Sequence, residues 1–142
     1  MKIDRAPDIQ KRISEILIEK KEYFSYIDNA RIVCMRSHEA TSRARARIWS
    51  FPRIWQMALH LPAYYIIEVL SQHFDHLSPD DQTRVLIHEL MHIPKNFSGA
   101  LVPHSGIHKK INIRTVEAIF QNKIMVESKK RKKKKPFSFI LW

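Results

Sequence analysis

Ser78-Pro79-Asp80-Asp81-Gln82-Thr83-Arg84-Val85-Leu86-Ile87-His88-Glu89-Leu90-Met91-His92-Ile93-Pro94 is the stretch on which the reading of this 142-residue chain turns. It opens as a helix should. Ser78 is a good N-cap, Pro79 suits the first helical position, and Asp80 and Asp81 complement the positive end of the helix dipole. The helix is expected to run through His92 and stop near Pro94, because the residue before a proline avoids helical geometry. Inside it stands His88-Glu89-Leu90-Met91-His92, of the form His-Glu-x-x-His. Histidines four apart on a helix lie on one face, one turn apart, so both imidazoles can reach a single ion. Glu89 then lies beside the ligands without being one, where it can take a proton from a water that zinc has acidified. Given the chain's eight His and eight Glu, three specified positions match by accident roughly two or three times in a hundred chains of this length and composition.

A catalytic zinc needs a third protein ligand and an open position. Downstream, His104, Glu117 and His108 are the candidates. Metzincin spacing is absent, since position 95 is lysine and position 98 serine. Glu117 would give the gluzincin arrangement. His104 leads, because Pro103 and Gly99 punctuate a loop able to bring the chain back under the metal. Arg114, Tyr64 and His108 are each candidates to stabilise an oxyanion, and Glu68 to orient a ligand from behind.

Around this helix the pattern alternates between strands and helices. Ile9, Ile13, Ile16, Leu17, Phe24 and Ile27 recur at helical spacing and predict a helix over residues 7–28. Residues 31–36 and 43–49 read as strands, the second alternating Arg43, Arg45 and Arg47 with Ala44, Ala46 and Ile48. Pro52 opens a short helix to about Leu61, residues 64–70 form the strongest strand signal, and a last helix is expected over 113–128.

Leu86 to Pro94, with Phe97-Ser98-Gly99 and Pro103-His104, resembles a zinc metallopeptidase family of archaea and phages. The similarity extends upstream through Ala46-Arg47-Ile48-Trp49 and Tyr65 to Val69, and covers roughly residues 30–120. It implies an α+β, zincin-like fold: a small twisted sheet packed on helices, with the His-Glu-x-x-His helix beneath it. It further implies a zinc-dependent peptidase acting on protein or peptide, with His88, His92 and His104 matching the metal ligands and Glu89 the general base. Two other functions compete. A zinc nuclease acting on RNA suits three histidines and an arginine strand, but related ribosomal-RNA endonucleases lack the glutamate. A non-catalytic zinc-binding interaction module has no use for a general base.

Composition bounds the rest. Of the formal charge of +11, seven positives fall in residues 129–135, leaving +4 elsewhere. The body is therefore only mildly basic, and one domain over residues 1–128 followed by a basic tail over 129–142 is expected. That tail, with its Pro136-Phe137-Ser138-Phe139-Ile140-Leu141-Trp142 tip, is a candidate contact for nucleic acid or an anionic surface. Cys34 is the sole cysteine and sits in an apolar run, so a buried inert thiol is expected. No secretory signal or membrane-spanning run is visible, which points to a cytoplasmic setting.

Overall fold

A computed structural model describes residues 1–106 and 110–122. The fold is α+β. Strands β1 (Lys2–Arg5), β2 (Ile32–His38), β3 (Ala46–Trp49) and β4 (Tyr65–Leu70) form one mixed sheet in the order β1-β2-β4-β3. β1 pairs antiparallel with β2, β2 parallel with β4, and β3 antiparallel with β4. The helices are α1 (Pro7–Glu19), α2 (Lys21–Phe24), α3 (Arg53–Leu59), α4 (Ser71–Phe74), α5 (Pro79–Met91) and α6 (Ile113–Phe120).

Side chains alternate across a sheet, and here one face takes the core. Ile32 and Cys34 of β2, Ala46 of β3, and Tyr65, Ile67 and Val69 of β4 are buried with Ile9, Ile13 and Ile16 of α1. Val85, Leu86 and Leu90 of α5 and Val116 and Ile119 of α6 complete this layer. The opposite face carries Arg47, Trp49, Ile66 and Glu68, joined by register as Arg47–Glu68 and Trp49–Ile66. Cys34 is buried, and burial foremost, then Asp8, pushes its thiol up to about 12, which keeps it protonated. Among the described residues no helix is long and apolar enough to cross a membrane.

The α5 signal holds: the Ser78 hydroxyl accepts from the Asp81 backbone N–H, and the helix runs to Met91. Elsewhere the sequence-based spans need correction. The predicted helix over 7–28 breaks at Lys20, whose side chain is buried and donates to the Phe120 carbonyl and the Asn122 side chain, both at 2.9 Å. A cation that must reach α6 cannot also point outward on a continuous amphipathic helix. The strand predicted over 43–49 is only Ala46–Trp49, so Arg43 and Arg45 stand outside it. β1 was not anticipated at all: its four residues are all exposed and mostly charged, and only pairing with β2 makes it a strand. The last helix is described from Ile113 to Phe120, and the domain boundary expected at 128 lies outside the described residues.

Candidate metal centre and cavity

Two elements bring three histidines together. His88 lies in the last turn of α5 and His92 caps it, so their rings sit 5.3 Å apart, centroid to centroid. His104 arrives on the following loop, 5.1 Å from the His88 ring and 4.5 Å from that of His92. One ring nitrogen from each lies within 4.8 Å of the others, and Nε2 of His88 and of His104 are 3.1 Å apart.

The loop is held by specific hydrogen bonds. The Val102 N–H donates to the His92 carbonyl at 2.7 Å, and Nδ1 of His92 lies 2.7 Å from the Val102 carbonyl oxygen. A carbonyl only accepts, so Nδ1 carries the proton and Nε2 carries the lone pair that could bind a metal. Beyond Val102, the Ile111 N–H donates to the His104 carbonyl at 2.9 Å. On the near side, the buried Tyr65 hydroxyl accepts from the Gly99 N–H at 2.7 Å and donates to the Ala100 carbonyl at 2.8 Å. Gly99 has φ +96°, and a Cβ there would sit 2.3 Å from the Phe51 carbonyl oxygen, so only glycine fits.

Burial disfavours charge on His88 and on Glu89. Burial foremost, then the neighbouring charges of His92 and His104, brings the His88 imidazole down to about 4. Burial pushes the Glu89 carboxyl up to about 8. No described residue gives the Glu89 carboxyl a hydrogen bond or an ion pair. A cavity of about 160 Å³ lies beside it, lined by Arg45, Ala46, Val85, His88 and Glu89, between the outer strand β3 and helix α5.

This donor set fits zinc. At Zn–N distances of about 2.0–2.1 Å, tetrahedral ligand atoms stand about 3.3 Å from one another, close to the His88–His104 separation. Histidine binds metal through a neutral imidazole nitrogen, and the three rings converge with no carboxylate in the group.

Other sequence candidates fall elsewhere. Glu117 receives Nε of Arg84 at 2.8 Å and stands outside the three-histidine group. Glu68 is not behind a ligand. It alternates with Ile67 and Val69 onto the other face of the sheet, where it accepts from Arg47 and Trp49. Tyr64 packs edge-on against Phe51, and Arg114 lies on α6. His38, His60, His73 and His76 are outside the group, and His108 lies outside the described residues. Two residues at the site were missed. Arg45, read as one member of a strand stripe, lines the cavity, and Tyr65, read only as a strand former, braces the loop; no local signal marks a contact 34 residues away.

Comparison with protein families matches the chain to a family described as "Putative phage metallopeptidase", over residues 1–123. Comparison with curated proteins and with solved structures finds no match. The chain belongs to that phage metallopeptidase family.

Proposed function

We propose that this family member is a zinc-dependent peptidase of zincin-like architecture, in which His88, His92 and His104 hold the metal and Glu89 is the general base. The observation that carries this reading is the pairing of three converging imidazoles with a buried carboxyl beside a cavity. A bound zinc supplies a Lewis acid and acidifies water towards about pH 7. The chain's own groups do the rest. His92 is held in one tautomer by Val102, and the loop bonds fix where His104 stands. Glu89 accepts a proton from the attacking water and returns it to the leaving amine. Its raised pKa suits both halves of that task. A divalent cation on the adjacent imidazoles favours the carboxylate, while burial favours the acid, so the group is poised between them.

The cavity is lined by Ala46 of β3, whose outer edge pairs with no strand among the described residues. An extended polypeptide pairing there would pass Ala46 at the level of Glu89. That edge supports our reading of the substrate as a protein or peptide. The setting we propose is the cytoplasm, with the basic residues 129–135 as a contact for nucleic acid or an anionic surface.

The test is hydrolysis of an unfolded polypeptide and of single-stranded RNA by the zinc-loaded chain, after chelation, and after zinc is restored. Cleavage of polypeptide alone, lost and regained with zinc, is the expected result. Zinc-dependent cleavage of RNA alone would replace the peptidase with a nuclease.

A further inference from the structure

Helix α3 is inside out. Its polar Gln56 turns towards the protein, where Nε2 donates to the Phe51 and Ser98 carbonyls, both at 2.8 Å. Its apolar residues face solvent. Ile54 is 71% exposed, Met57 62% and Trp55 56%, and Leu59 is also exposed. No residue of this helix is buried. Such an arrangement contributes nothing to a core, and a contiguous exposed apolar patch on a folded domain marks an interaction site.

The helix is also fixed to the candidate active site. Gln56 and the Phe51 N–H, which donates to Gly99 at 2.8 Å, tie it to the loop that carries Val102 and His104. β3 joins the two regions directly. Ala46 lines the cavity beside Glu89, and Trp49, exposed at the other end of the strand, adjoins the segment that leads into α3. At about 3.3 Å per residue, that strand spans about 10 Å.

The segment that carries the patch is basic, and the acid that touches it is Glu68, which accepts from Trp49 Nε1 at 2.9 Å. Residues 40–67 contain four arginines and no acid. Arg47 is neutralised by Glu68, whereas Arg43, Arg45 and Arg53 have no ion-pair partner among the described residues.

We infer that Trp49, Ile54, Trp55, Met57 and Leu59 form a docking surface for the substrate polypeptide, which selects extended segments bearing large apolar side chains together with acidic residues. The inference rests on the proposed peptidase function for where the scissile bond lies. A chain paired along β3 with that bond at the cavity brings residues three or more positions away onto Trp49 and then α3. The surface thus chooses which stretch is cut, while the chemistry near His88 and Glu89 stays indifferent to sequence.

Binding is read by fluorescence anisotropy on the full chain in the presence of chelator. The probe is a labelled 12-residue peptide carrying Leu, Phe and Trp with two Glu, and its control has Ser in place of the three apolar residues. Wild type is expected to bind the probe at least tenfold more tightly than the control. Trp55→Ser with Met57→Ser should erase that preference, as should Ile54→Ser separately, with unchanged thermal melts because all three side chains are exposed. Equal affinity for probe and control overturns the inference, as does a preference that survives in both variants. It is equally overturned if light scattering shows a dimer that these substitutions dissociate, or if the patch binds vesicles of anionic phosphatidylglycerol while ignoring the peptide. Because the assay is metal-free, it can fail while zinc-dependent cleavage stands, and the converse also holds.

Discussion

Two buried glutamates, one on each face of the same small sheet layer, show how the fold treats a charge it uses for structure and one it holds in reserve. Glu68 is 3% exposed and Glu89 8% exposed. Burial pushes the Glu68 carboxyl up, but Arg47 at 2.8 Å and Trp49 at 2.9 Å outweigh it and hold it below the usual carboxylate range. Glu89 receives no such compensation and rises to about 8. A buried acid is tolerable when paired and costly when not. Glu89 has no ion-pair partner among the described residues: Arg45 lines the same cavity without forming an ion pair with it. A cost carried at a cavity beside three imidazoles is the feature on which the proposed role of Glu89 rests.

The comparison can be broken by removing the metal. His104→Ala or His88→Ala should abolish tight zinc binding at neutral pH, whereas Glu117→Ala should keep one zinc per chain and lose only the Arg84 contact. Elemental analysis after dialysis decides it. Stoichiometric zinc in His104→Ala with loss in Glu117→Ala would move the third ligand to α6.

It can be sharpened by making the same substitution on both sides. In metal-free protein, Glu89→Gln should raise stability near neutral pH by about 1–3 kcal/mol, since a neutral amide avoids the burial cost. Glu68→Gln should lower it by about 1–2 kcal/mol, a figure reduced because the Arg47 side chain is a third exposed. Urea unfolding reads both, and equal signs would contradict the account. The pH dependences also oppose each other. The folded Glu89 carboxyl keeps its proton up to about pH 8, while the unfolded one releases it in the ordinary carboxylate range. Between those limits the folded state binds more protons, so this contribution weakens as pH rises. Glu68 is the reverse: its folded pKa is depressed, so its stabilisation is present above the ordinary range and is lost as pH falls through the lowered value. Each Gln variant should flatten its own segment of the stability–pH curve.

The smallest effect is expected at the brace. Tyr65→Phe keeps the ring packed against Phe97 but loses the bonds to Gly99 and Ala100. Zinc affinity should fall by up to about tenfold, the low end of what outer contacts to a metal site contribute. A competitive chelator titration measures it, and an unchanged affinity would show that Val102 and Ile111 hold the loop without Tyr65.

What the sequence revealed follows from how local the physics is. Helix α5 carries its own start signal in Ser78-Pro79-Asp80-Asp81, and the spacing of four puts His88 and His92 on one face whatever surrounds them. His104 was legible as a candidate through Pro103 and Gly99, and the structure sets its ring against the other two. Contacts between distant segments were not legible. The Lys20 bonds to Phe120 and Asn122 divide a helix whose apolar periodicity runs on unbroken. β1 has a strand's geometry only because β2 supplies partners for Lys2 to Arg5. The face on which Glu68 lies depends on register, and a shift of one residue would have turned it towards α5.

The central claim is that Glu89 moves a proton and does not hold the metal. Zinc content and the rate of polypeptide hydrolysis should therefore be measured together, for wild type and Glu89→Gln at the same pH. The account predicts one zinc in each protein and a rate at least 10²-fold lower in the variant, within the usual 10²–10⁴ range for a general base. Equal rates, or equal silence on unfolded polypeptides with zinc bound in both, would contradict it and leave a zinc-binding module without catalysis.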